Sequence, residues 1–138
     1  MLKYLVAIVA TGIVFMLMDL GWISQMLPRL YKPDIGPLLA DKPSVAPAAA
    51  FYLIYIAGVT VFAIAPGLAA GSWAKTAGLA ALMGLVAYAT YDLTNQATLR
   101  LWSLRVSVWD MGWGVFATTV AASAGFWAAR LVSSGARS

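Results

Sequence analysis

Four long apolar stretches divide the chain, and polar residues punctuate them at regular places. The first runs uncharged from Tyr4 to Met18 and continues past Asp19 to about Ile23. The second lies within a charge-free stretch from Pro43 to Ala74, and the third runs from Thr76 to Tyr91 and on through Asp92 to about Gln96. The fourth begins near Val106, contains Asp110, and is then free of charge from Met111 to Ala129. None of them alternates apolar with polar residues, and all are rich in Ala, Leu and Gly, so helices are predicted and transmembrane strands are not. A bilayer core of about 30 Å needs roughly 20 helical residues. The predicted spans are therefore about 4–23, 47–66, 75–96 and 106–129, and three of them reach that length only with an Asp inside or at the edge.

The connections are uneven. Pro28, Pro33, Pro37, Pro43 and Pro47 crowd the stretch between the first two spans. Residues 24–46 are therefore expected to form a proline-rich interfacial loop that cannot be one continuous helix, with room for a short helical turn. Pro47 suits the first turn of the second helix, and Pro66-Gly67 should end or bend it before a turn at Gly71-Ser72. The link from Ala97 to Arg105 is short. Lys3 precedes a long apolar run, but no small-x-small cleavage pattern follows, so the first segment is expected to be a retained helix. No second domain is expected.

Composition excludes a soluble domain. Hydrophobic residues make up 62% of the 138 positions and charged residues 10%, with a mean hydropathy of +0.84. Soluble domains carry about 25% charged residues. There is no Cys and no His, and all five acids are Asp. Disulfides, thiolate or imidazole metal sites, His or Cys haem ligation and His-based catalysis are excluded. Asp19, Asp92 and Asp110 each stand alone on their helix, and Asp34 and Asp41 belong to the proline-rich stretch, so no metal or cofactor is expected. The net charge is +4, but the basic residues are scattered singly at the ends of apolar runs. That distribution fits snorkelling at the membrane surface and gives no reason to expect nucleic-acid binding.

Chain direction then brings distant residues to one depth. An antiparallel all-α bundle of four spans has both termini and the second loop on one face, with the first and third loops on the other. Asp19, Asp92 and Asp110 all approach the latter face, as do Tyr52 and Tyr55. Helical spacing aligns Gly12, Phe15, Asp19 and Trp22 on the first helix. Ala77, Ala81, Gly84, Tyr88, Tyr91 and Asn95 line one side of the third, with Asp92 beside them. On the fourth, Asp110, Gly114, Ala117, Ala121, Ala124 and Ala128 make a similar seam, and Trp113 lies at the depth of the acids. Small residues at one end let helices pack closely, leaving a polar-aromatic pocket at the other. Arg100 and Arg105 are the expected counter-ions. Trp73, Trp102 and Trp127 are placed like interfacial anchors. The competing reading is a salt-bridged plug that fixes helix register.

The most distinctive run is Tyr88-Ala-Thr-Tyr91-Asp92-Leu-Thr94-Asn95-Gln-Ala-Thr98-Leu, followed by Trp102 and by Asp110-Met-Gly-Trp113-Gly114. Together with Asp19-Leu-Gly-Trp22 and Phe51-Tyr52-Leu-Ile-Tyr55 ahead of Gly58, it resembles a bacterial family of predicted membrane proteins, domain of unknown function 2177. The resemblance covers nearly the whole chain. It implies a multi-pass protein of the bacterial cytoplasmic membrane and implies no activity.

The functional expectation is binding of a small molecule or lipid in the pocket, in transport or as an accessory subunit. The alternatives are a membrane enzyme acting on a lipid or isoprenoid with Asp92 or Asp19 as acid or base, and a structural subunit of a larger complex. Expected partners are membrane lipids and a second copy or a larger membrane complex. Lys3, Lys75, Arg130 and Arg137 on the termini face nearly balance Arg29, Lys32, Lys42, Arg100 and Arg105 on the other, so charge does not set the orientation.

Overall fold

The structure is a computed structural model and describes residues 1–135, so Arg137 lies outside the described residues. Helix α1 spans Leu2–Met26, a π-helical turn follows at Leu27–Tyr31, and α2 (Lys32–Ile35) leads into a 3-10 turn at Gly36–Leu38. Helix α3 (Val45–Val59) passes through a second π-helical turn, Thr60–Ile64, into α4 (Ala65–Ala70). Helices α5 (Trp73–Thr98) and α6 (Leu104–Gly135) complete the fold, with no strand among the described residues. Four helical stretches are long and apolar enough to cross a membrane: Leu2–Leu38, Val45–Ala70, Trp73–Thr98 and Leu104–Ser134. The all-α, four-span expectation agrees with this, and the helices enclose Asp19, Asp92 and Asp110.

The expected loop at 24–46 is largely helical instead. Winding continues to Leu38, and only 39–44 is irregular. The reason lies in where the prolines fall. Pro28, Pro33 and Pro37 each stand near the start of a segment where the winding changes. The Lys32 N–H reaches back five residues to the Leu27 carbonyl just ahead of Pro33, and this wider turn makes room for the Pro33 ring. The same device carries the second span past Pro66, where the Ala65 N–H donates to the Thr60 carbonyl. Pro66-Gly67 therefore does not end that span. Gly71 does, with φ 63° in the left-handed region, and Ser72 caps α5 by accepting from the Lys75 N–H. Gly71→Ala is expected to lower stability by about 1–2 kcal/mol, read from denaturant-induced unfolding in micelles.

Helix α6 packs along both α1 and α5. The buried line of α1 is Ala7, Thr11, Phe15 and Asp19, spaced by fours. Thr11 lies against Gly125 and Asp19 against Trp113, so contacts descend α6 as they ascend α1. On α5 the buried line is Thr76, Ala80, Gly84 and Asp92. It is rotated from the predicted stripe, so Asp92 points inward and Tyr91 is 58% exposed. Gly84 meets the Gly114 backbone of α6, and the Tyr88 ring covers Gly114. These small-residue seams thus face each other within one chain. The outer surface is apolar, with Leu17, Leu53, Ile54, Val86, Val108 and Leu131 each more than half exposed. That inversion suits a bundle whose surrounding solvent is hydrocarbon. A second, smaller core of Leu30, Ile35 and Val106 holds the segment after α1 against the start of α6.

Candidate functional site

Two hydrogen-bonded groups meet where α1, α3, α5 and α6 converge. In the first, Asp19 of α1 accepts through Oδ2 from the Tyr52 hydroxyl of α3 at 2.5 Å. Its Oδ1 accepts from the Trp113 indole N–H of α6 at 3.2 Å. One carboxyl thereby ties three helices. In the second, Asp110 of α6 accepts from the Tyr31 hydroxyl at 2.5 Å, and the same hydroxyl oxygen accepts from the Trp22 indole N–H at 2.8 Å. The indoles of Trp22 and Trp113 stack, with ring centroids 4.4 Å apart and planes 12° from parallel. They join the two groups into one wall.

Asp92 stands behind this wall. It is fully buried, and neither carboxyl oxygen receives a hydrogen bond from an N–H or O–H donor.

Two adjoining cavities open onto these groups. One, of about 280 Å³, is lined by Asp19, Trp22, Tyr31, Trp102, Asp110 and Trp113 among others. The other, of about 580 Å³, runs between α3 and α5 past Phe51, Ala87 and Thr90. Both share Asp19, Ile23, Tyr88, Tyr91 and Asp110. The lining of each contains carboxyl and aromatic groups and no Lys or Arg. What the arrangement offers is hydrogen-bond acceptance and aromatic surface.

The residues singled out from sequence divide accordingly. Asp19, Trp22, Tyr88, Asp110 and Trp113 line the cavities, and Tyr91 does so at their outer edge. Tyr52 acts through Asp19. Tyr55 is buried and shares a hydrogen bond with Thr118 at 2.6 Å, outside both linings. Asp92 and Asn95 line neither cavity. The two arginines expected as counter-ions are placed elsewhere. Arg105 pairs with Asp34 at 3.4 Å and donates to the Arg29 carbonyl at 2.9 Å, because the helical segment after α1 folds back and brings Asp34 within its reach. Arg100 is exposed and forms no ion pair among the described residues. Trp102, expected as a surface anchor, is half-buried in the cavity wall, with its indole N–H donating to Ser107 at 3.0 Å.

Sequence reading missed Tyr31, because it assigned that stretch to a loop. The signal was present: Leu27, Leu30, Tyr31 and Ile35 recur at helical spacing, and that face covers the cavity.

Compared with known proteins, residues 4–127 match a family described as "Predicted membrane protein (DUF2177)". No curated protein and no solved structure matches the chain.

Proposed function

Since the chain belongs to the predicted-membrane-protein family of domain of unknown function 2177, and that membership names no activity, we propose a function from the site: the protein binds a small lipid-soluble molecule or lipid in the joined cavities. The observation that carries this reading is a pair of cavities sharing two carboxyls and two tyrosines. Recognition sites are typically concave and mostly apolar with a few convergent polar groups, and these cavities have that character. The larger one runs out between α3 and α5, where the chain's outer surface is apolar, so a ligand dissolved in the bilayer has a lateral route in. On this reading the protein works in the bacterial cytoplasmic membrane among membrane lipids, in transport or as an accessory to a second copy or a larger complex.

The register-fixing role is supported by a separate observation, the carboxyl of Asp19 tying α1, α3 and α6. The two readings are compatible, because the same bonds that fix register hold the cavity wall in place. An acid or base role is supported less well for Asp92, which lines neither cavity, than for Asp19.

The test is to extract the protein with its surrounding lipid and identify co-purifying molecules by mass spectrometry, comparing the natural chain with Ala87→Trp. Ala87 is a half-buried residue on the wall of the larger cavity, and an indole there fills the lateral route. A distinct species retained by the natural chain and depleted in the variant is the expected result. Identical lipid profiles, with both proteins folded, would count against binding.

A further inference from the structure

The structure assigns a charge to the ligand: we infer that the cavities recognise a protonated amine, an ammonium group held by Asp19 and Asp110 beside the aromatic rings of the lining. This rests on the binding reading above and specifies its chemistry.

Three observations carry it. First, the carboxyls that line the cavities receive hydrogen bonds only from neutral donors, the hydroxyls of Tyr31 and Tyr52 and the indole of Trp113. Of the basic side chains expected to pair with them, Arg105 is bound to Asp34, and Arg100 is exposed and forms no ion pair among the described residues. Acidic groups in a membrane interior ordinarily find a cationic partner, and among the described residues none pairs with Asp19 or Asp110. Second, Asp92 lies behind Asp110, fully buried and without a donor. It adds no basic group to that wall, and none lines either cavity, so nothing there would pair with an anionic ligand. Third, Tyr31, Tyr88, Tyr91 and Trp102 line the cavities beside the carboxyls, and aromatic rings attract cations at their faces, with the effect largest where water is excluded. Among the described residues no three acidic side chains converge closely enough to hold a metal ion. That geometry favours an organic cation, which two separated carboxyls and a set of rings can embrace. The mostly apolar lateral cleft suits an alkyl tail on the amine.

The test uses the full chain purified in an uncharged maltoside detergent, with tryptophan fluorescence as the readout, since Trp22 and Trp113 stand in the wall. The probes are decylamine, decanol, decanoate and butylamine at neutral pH. Decylamine is expected to bind saturably and about tenfold more tightly than decanol, the scale of one cation–π and carboxylate contact, and decanoate is expected not to bind. Asp19→Asn and Asp110→Asn should each weaken decylamine about tenfold more than they weaken decanol. The natural chain's probe series decides the matter even if a variant fails to fold. Butylamine binding as well as decylamine would support the charge and point to a water-borne amine, whereas a strong preference for decylamine would support it and point to an amphiphile. Equal affinity for decylamine and decanol would overturn the charge while leaving binding intact. No saturable binding of any probe would overturn both.

Discussion

Gly84→Ala is expected to push α5 away from α6 and to lower the unfolding free energy by about 1–3 kcal/mol, the usual scale of overpacking. A methyl group at Gly84 would meet the backbone carbonyl of Gly114 and the hydroxyl of Thr118. Backbone cannot rotate out of the way as a side chain can, so the helices themselves must separate. Their separation would loosen Tyr88, whose ring lies on Gly114 and whose edge forms part of both cavities. Gly78 on the same helix is the control, because a methyl group there meets nothing within 4 Å. Gly78→Ala should be neutral or stabilising by up to about 1 kcal/mol, the intrinsic helix preference of Ala over Gly. Unfolding in mixed micelles with rising dodecyl sulfate, followed by helicity, orders the three proteins. If Gly84→Ala were as stable as the natural chain, the close approach of α5 and α6 would be wrong.

The second large effect is expected at Asp19. Asp19→Leu removes the acceptor for both the Tyr52 hydroxyl and the Trp113 indole N–H. Each buried donor left without a partner costs about 1–3 kcal/mol in general, while polar contacts within membranes average nearer to about 0.6 kcal/mol. A net loss of about 1–3 kcal/mol is the expected result, together with loss of ligand retention. Asp19→Asn keeps an acceptor oxygen and should lose less stability. A double-mutant cycle with Tyr52→Phe isolates one contact, and a coupling of about 1 kcal/mol is expected. A coupling near zero would mean that this bond neither fixes register nor braces the cavity wall.

Much of the fold was legible in the sequence, and much of the site was not, for different physical reasons. The helices followed from uncharged apolar runs. That Asp19 and Asp110 line the cavities was legible because direction along the helices brought them to one depth, and their neighbours Trp22 and Trp113 came with them. The rotation of α5 was harder to read. A stripe through Tyr91 and one through Asp92 differ by a single residue, and both contain Gly84 and Tyr88. What separates them is the far end of the helix, where Thr76, packed on Gly67, and Ala80 are buried instead of Ala77 and Ala81, and Asp92 falls on the same line. The segment after α1 was misread for another reason. Prolines argue against a regular α-helix, but winding that changes between α, π and 3-10 turns accepts them at each change.

By itself the sequence determined that this protein lives in a membrane as four helices. In hydrocarbon the backbone of each span must satisfy its own hydrogen bonds, and a run of some twenty apolar residues can do so only by winding into a helix. That is a local requirement, readable one segment at a time. Only the tertiary structure decided which residues face the cavities, that Tyr31 folds back onto Asp110, and that Arg105 is paired with Asp34 and lost to the site. Those outcomes depend on helix rotation and on a fold-back set by packing between segments far apart in the chain. A carboxyl on an isolated helix has no preferred partner until its neighbours arrive.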